Sequence, residues 1–319
     1  MEYIFDDGPY KKYIDAFVAY KLGKGEKGSR NLQIACKRIA SALSDKTDTS
    51  ALDEHMIRKM LERLDGESDS SREHRVSIMR QFCAFLNTIG IPCWQIPPRY
   101  FTAPRSEFKP YILSNSDISS LLATVDSLPP SRRSHGYVTA YPVLTRLLLS
   151  SGLRISEALA LDINDFDKNV GVITVSNSKN GVSRLVPLST SMSLCLQNFI
   201  DSEERDTGPI FLSSYTGKAY SCDGAHYMFR KIYDAAGIVN ERGRSPRIHD
   251  MRHTFCTRSL DKMLASGMGP YEAIPILAAY VGHVNYADTE KYIHLTRANH
   301  EKFVSVETAL ATLIPKVVI

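Results

Sequence analysis

Six polar residues in the C-terminal two thirds of this 319-residue chain have types and surroundings suited to work on a phosphate: Arg154, Lys179, His249, Arg252, His283 and Tyr292. Arg154 stands in Gly152-Leu153-Arg154-Ile155-Ser156-Glu157, His249 and Arg252 in His249-Asp250-Met251-Arg252-His253, and Tyr292 nine residues after Gly282-His283. Breaking a phosphodiester takes a nucleophile in line with the leaving oxygen, cationic donors for the nonbridging oxygens and a proton for the departing alkoxide. Arginine suits the second task, because its planar fork meets two phosphate oxygens and stays charged at any working pH. Arg154 and Arg252 are the candidates for it. His249 and Arg252, three residues apart, would share one helix face and meet one phosphate. Tyr292 has the chemistry of a nucleophile whose phosphotyrosyl ester keeps the energy of the broken bond, so that a strand can be rejoined without ATP or metal. Its phenol, with an ordinary pKa of about 10, attacks poorly until nearby cations lower the cost of the phenolate.

Each of these residues has a plainer reading when taken alone. Arg154 and Glu157 suit an ordinary helix surface, Arg252 a salt bridge to Asp250 or Glu241, Lys179 an exposed turn, and His283 a helix cap. Tyr280 and Tyr286 rival Tyr292, one among 16 tyrosines. His249, His253 and Cys256, at i, i+4 and i+7, also leave a metal site open, although no paired ligands or glutamate base accompany them.

Taken in order, Gly-Leu-Arg-x-Ser-Glu-Ala-Leu, a turn lysine before Arg184-Leu185-Val186-Pro187-Leu188, His-Asp-x-Arg-His-Thr-Phe, Gly-His and a tyrosine resemble the tyrosine recombinase, or phage integrase, family across residues 110–319. The resemblance implies that Lys179 is the general acid for the leaving 5′ oxygen, with Lys168 and Arg184 as alternatives if the alignment slips. It implies that His249 assists proton transfer at the nucleophile and that His283 donates to the phosphate. Glu157 would orient Arg154 or a neighbouring histidine. The spacing of thirty-one residues between Arg252 and His283 exceeds that of the commonest members, with an insertion expected over Met263 to Ile276. The stretch from Ala278 to Tyr292 is closer to transposon-type members.

The elements that must position these groups fall into two blocks. Over the first hundred residues apolar positions recur at helical spacing, as at Ile14, Phe17 and Val18 or at Ile78, Met79, Phe82 and Phe85, and predict about four helices with Ser29, Asp53 and Ser70 in their N-terminal cap regions. Prolines 92, 97, 98 and 104 then break the pattern and mark an extended linker. Beyond Ser114 the chain reads as helix again. Helices are expected at 138–151 and 154–161, then at about 190–205, 222–236, 249–266 and 271–281, with a short one at Tyr292. Residues 171–175 and 183–186 read as hairpin strands joined across Ser178-Lys179-Asn180-Gly181.

Composition sets outer limits. Hydrophobic residues at 43% and charged residues at 23% are ordinary globular usage, which argues against a disordered tail or a membrane protein. The first ten residues lack the pattern of a signal peptide. Six cysteines without paired spacing suggest reduced thiols inside a cell. A net charge of +4 would not by itself indicate a nucleic-acid binder, but its distribution is informative. Lys21, Lys24, Lys27, Arg30, Lys37 and Arg38 stand against Glu26 alone, and five arginines and two histidines between Arg242 and Arg258 stand against Asp250. Two separated basic clusters suit two lobes that grip one polyanion.

The expected fold is therefore mainly α with a small antiparallel β-sheet (α+β). A helical DNA-clamping domain spans 1–100, a linker 101–109, and a tyrosine-recombinase-like catalytic domain with a C-terminal tail 110–319. Lys21, Lys24, Lys27, Arg30, Lys37, Arg38, Arg244 and Arg247 are the expected DNA contacts. The resemblance implies a cytoplasmic site-specific DNA recombinase that works through a 3′-phosphotyrosyl intermediate, without cofactor, metal or membrane. It further implies a C-shaped grip on duplex DNA and a protein that is monomeric when free. Four protomers would assemble on paired sites, with sister recombinases as further partners, and the apolar stripe after Tyr292 would dock on a neighbour. Two alternatives stand beside this reading. A type IB topoisomerase shares the chemistry, but the small helical N-terminal domain and apolar tail weigh against it. A catalytically silent DNA-binding accessory protein would not need the six residues intact.

Overall fold

The computed structural model describes residues 8–26, 30–44, 46, 51–104, 110–130, 136–176, 183–283, 285, 287–290 and 292. The chain divides into two compact units, Met1–Phe108 and Lys109–Ile319.

The first unit is helical: α1 Lys11–Gly23, α2 Arg30–Ala42, α3 Glu54–Met60 and α4 Asp69–Thr88. Its core forms where the apolar stripes of α1 and α4 meet, with the Phe17 and Phe82 rings edge to face at 5.4 Å. Asp53 caps α3 by accepting from the Met56 amide, as expected, whereas α4 starts at Asp69, one residue before Ser70, with Ser68 as its cap. Between these helices the buried Arg75 places its fork on Glu67 (2.7 and 2.8 Å) and donates to the carbonyls of Met60 and Glu62. The turn is thus closed by a fully engaged ion pair, the condition under which a charge can be buried.

The second unit runs α5 Asn115–Asp126, α6 Tyr137–Ser151, α7 Ile155–Leu159, β1 Phe166–Asp167, β2 Val172–Val175, β3 Arg184–Pro187, α8 Thr190–Ser202, β4 Leu212–Ser213, β5 Lys218–Ala219, α9 Cys222–Ala235, α10 Ile248–Ala265, α11 Pro270–Val281 and α12 Ala287–Glu290. Helix α6 is the central post and packs against α5, α8 and α10. Strands β1, β2 and β3 form an antiparallel sheet in that order, with Val175 opposite Arg184 as the last pair before the intervening loop. The expected hairpin is present, and β1 extends it by a third strand that is too short to show alternation in the sequence. Lys179 and the tail after Tyr292 lie outside the described residues. No described helix is long and apolar enough to cross a membrane.

Two glycines make the close approaches that shape the site. Gly152 ends α6 in the left-handed region (φ +61°), and a Cβ there would run into the Phe255 ring of α10. Gly282 ends α11 at φ +70°, where a Cβ would lie 2.8 Å from Nη1 of Arg184. Both turns release the chain from a helix directly into functional residues. Gly152→Ala combines backbone strain with the Phe255 contact and is expected to destabilise the fold by about 1–3 kcal/mol. Thermal denaturation should show a clear fall in Tm, and an unchanged Tm would contradict this packing.

Candidate active site

The left-handed Gly152 places Arg154 at the start of α7, and its carbonyl accepts from the Glu157 and Ala158 amides. Glu157, buried one turn on, accepts from the Arg154 amide (3.0 Å) and from Nη1 of Arg154 (2.7 Å). Arg184, at the start of β3, holds both oxygens of the same carboxylate, at 3.2 and 2.8 Å. Burial alone would raise the pKa of Glu157. The hydrogen bonds from Arg184, then those from Arg154, overcome burial and bring it from 4.5 down to about 2. Glu157 is therefore a fixed negative charge shared by two guanidinium groups.

Arg252 enters from α10 and is 2% exposed. Its Nη1 donates to the Gly152 carbonyl and its Nη2 to the Val281 carbonyl, each at 2.6 Å, while its buried Nε has no protein partner among the described residues. Burial, and then the charge of Arg154, lower its pKa to about 10, still well above neutrality. Arg154 Nη2 makes a longer bond, 3.4 Å, to the Gly282 carbonyl, and Arg184 Nε donates to the Tyr280 carbonyl at 2.9 Å. Three successive carbonyls at the end of α11 thus each receive one arginine. A helix C-terminus suits that role, because its last carbonyls lack intrahelical donors and carry the negative end of the dipole.

Tyr292 is 1% exposed, and its hydroxyl lies 2.8 Å from Nδ1 of His253. Burial and the neighbouring Cys256 push its pKa up, only partly offset by Arg252. The His249 ring stands edge to face with His253 at 4.7 Å, and His283 stacks parallel to Tyr292 at 6.3 Å while its Nδ1 meets the Thr289 hydroxyl at 2.7 Å. A tyrosine hydroxyl, three histidines and two partly committed arginines therefore border one region. Such a set can hold an anion, store a nucleophile and move its proton. The metal reading needs His249, His253 and Cys256 to converge, and among the described residues no three His, Cys, Asp or Glu side chains do so.

The structure brings Arg154, Glu157, Arg252, His283 and Tyr292 together, with His249 at the exposed edge. In the sequence His253 stands only as part of the metal reading, and the structure shows it buried. It packs onto the nucleophile candidate thirty-nine residues away, a contact that no local spacing could reveal. In the sequence Arg184 stands only as an alternative acid to Lys179. Its available signal was the strand period, which puts it on the same face as buried Val186, where a charge requires a partner.

The basic clusters divide. Lys21 is buried, its ammonium on Glu26 and Gln81, which gives it a structural role in place of the expected phosphate contact. Lys24 lies over the Tyr20 ring at 4.5 Å, while Lys37 and Arg38 are exposed, with Arg38 3.8 Å from Glu67. Lys27 and the side chain of Arg30 lie outside the described residues. Arg244 and Arg247 are exposed just before α10, Arg247 3.7 Å from Asp250.

Comparison with known proteins bears on this site. The profile of the Phage integrase family matches residues 112–299. A putative integrase/recombinase, y4rB, of Sinorhizobium fredii is 31% identical over 227 residues, covering 69% of this chain and 72% of the relative. The tyrosine recombinase XerC of Pelobacter propionicus is 26% identical over 270 residues, covering 84% and 83%. Among solved structures, the XerH site-specific recombinase in a post-cleavage complex with its palindromic difH substrate has a TM-score of 0.66 at 16% identity, covering 97% of this chain and 100% of that one. The Tn1549 transposon integrase bound to transposon right end DNA has a TM-score of 0.63 at 18% identity, covering 94% and 99%. These two likenesses concern the fold alone.

The Glu157 shift has a pH consequence. Its pKa is depressed in the folded state, so its contribution to stability is full above the ordinary value of 4.5 and is lost as pH falls from there to about 2. Glu157→Gln should lower Tm near neutrality and flatten the acid limb of a Tm-against-pH profile across that window. Parallel acid limbs for the two proteins would contradict the assignment.

Proposed function

Because this chain belongs to the phage integrase family and is a tyrosine-type site-specific DNA recombinase that cuts and rejoins its DNA substrate, we propose that Tyr292 is its nucleophile and that Arg154 and Arg252 are the donors for the scissile phosphate. The observation that carries this assignment is the convergence of both arginines on the last turn of α11, beside His253, which meets the Tyr292 hydroxyl, and His283, which stacks on the Tyr292 ring.

In the cleavage step the Tyr292 oxygen bonds to phosphorus and the bond from phosphorus to the bridging 5′ oxygen breaks, leaving a 3′-phosphotyrosyl ester and a 5′ hydroxyl. His249 takes the phenolic proton, with His253 holding the hydroxyl before attack. Lys179 supplies a proton to the 5′ oxygen, and His283 donates to a nonbridging oxygen. Arg154 and Arg252 exchange neutral carbonyl acceptors for anionic oxygens, and charge-assisted bonds are roughly twice as strong as neutral ones. Rejoining is the same step reversed, with the 5′ hydroxyl of an exchanged strand as attacking group.

Around this chemistry we place a DNA-clamping domain at 1–100, a linker at 101–109 and a catalytic domain at 110–319. Lys24, Lys27, Arg30, Lys37, Arg38, Arg244 and Arg247 contact the DNA backbone. A free monomer assembles as four copies on paired sites, with its tail on a neighbour and sister recombinases as further partners, in the cytoplasm. The named relatives above are recombinases and integrases, and no observation favours a topoisomerase or a silent accessory protein.

The substrate can be recovered by selecting bound duplexes from a random-sequence DNA pool, then nicking them near the cleavage position to trap the covalent complex. Arg154→Ala and Arg252→Ala should each slow trapping by about 10²–10³-fold while leaving duplex affinity close to wild type, as expected for loss of a transition-state donor. A chelator should leave the wild-type rate unchanged. Wild-type trapping rates in both variants, or abolition by chelator with recovery on metal add-back, would overturn the proposal.

A further inference from the structure

We propose that Arg184 is a positioning residue for strand cleavage, fixing the base of the loop that carries Lys179 to the same turn of α11 that receives Arg154 and Arg252. The proposal rests on the reading of Lys179 as general acid and adds a residue to it.

Arg184 sits opposite Val175 in the last register pair of β2 and β3, so its position sets where the loop between them begins and ends. Its side chain is 8% exposed, and all three of its nitrogens are engaged: Nε on the Tyr280 carbonyl, Nη1 and Nη2 on the two oxygens of Glu157. Those partners are themselves parts of the phosphate site. Glu157 holds Arg154, and Tyr280 immediately precedes the residues whose carbonyls accept from Arg252 and Arg154. The other end of β3 is tied to the same residue, because the Tyr280 hydroxyl donates to the Pro187 carbonyl at 2.9 Å. Strand β3 is therefore held at both ends by one residue of α11 and cannot slide along it without breaking these bonds.

The geometry calls for arginine. A guanidinium can span both carboxylate oxygens while its Nε reaches a carbonyl in another direction; an ammonium offers one compact point of contact. Gly282 leaves the space for it, since a Cβ there would come within 3.1 Å of Nη1, Cζ and Cδ of Arg184. The same commitments weigh against Arg184 as the acid. Its fork is held by a carboxylate, and a guanidinium stays protonated at any working pH. What it can do is place another group, and a displacement of about 1 Å in a catalytic group can cost about 10²-fold in rate.

Sulfur in place of the bridging 5′ oxygen tests this, because a thiolate leaves without protonation and removes the need for a correctly placed acid. Single-turnover trapping is measured on matched oxygen and sulfur substrates for wild type, Lys179→Ala, Arg184→Ala and Arg184→Lys. The lysine variant keeps the charge and serves where the alanine variant fails to fold. Arg184→Lys is expected to slow cleavage of the oxygen substrate by about 10²-fold, with duplex affinity unchanged, and to approach the wild-type rate on the sulfur substrate, as Lys179→Ala does. Equal slowing on both substrates, or none on either, while Lys179→Ala is rescued, would overturn the positioning role alone. Failure of sulfur to rescue Lys179→Ala would overturn the assignment of the acid and this inference with it.

Discussion

The last turn of α11 is where the catalytic unit holds together. Its carbonyls at Tyr280, Val281 and Gly282 accept from Arg184, Arg252 and Arg154 in turn. A buried guanidinium without acceptors would be costly, and a buried helix end without donors would be too, so each side satisfies the other. Of these three guanidinium groups two share a single carboxylate, Glu157, and Arg252 donates to neutral carbonyls only. That imbalance suits an anionic ligand. A phosphodiester would supply the charged acceptors that neutral carbonyls only partly replace.

The same turn explains how residues far apart in sequence become one site. Gly152 and Gly282 end their helices in left-handed turns, and in each case the missing side chain is room for a neighbour, Phe255 in one and Arg184 in the other. Arg252 bridges the two turns by donating to Gly152 and to Val281. Tyr292 follows α12, its hydroxyl on His253 of α10. In this arrangement the Tyr292 hydroxyl is buried and its pKa is raised by that burial, and under the proposed reading a bound phosphate would offer the arginines charged acceptors in place of carbonyls.

Much of this was legible in the sequence where the signal is local. The helices at 190–202, 222–235, 248–265 and 270–281, the hairpin, and the clustering of Arg154, Arg252 and Tyr292 followed from periodicity, turn residues and the ordered motifs that resemble the integrase family. What stayed hidden depends on tertiary partners. Two-residue β1 has too few positions to alternate, Lys21 turns inward because Glu26 and Gln81 receive it, and the cap of α4 falls on Ser68 because that side chain reaches the Ser71 amide. The roles of His253 and Arg184 rest on contacts thirty-nine and twenty-seven or more residues away.

Under the proposed reading this constellation serves one tyrosine, Tyr292. Peptide mapping by mass spectrometry of the covalent complex trapped on a nicked substrate tests it most directly. The DNA adduct should lie on Tyr292, and Tyr292→Phe should form no adduct while still binding the duplex. An adduct on Tyr280 or Tyr286, or cleavage that leaves no protein–DNA bond, would contradict it.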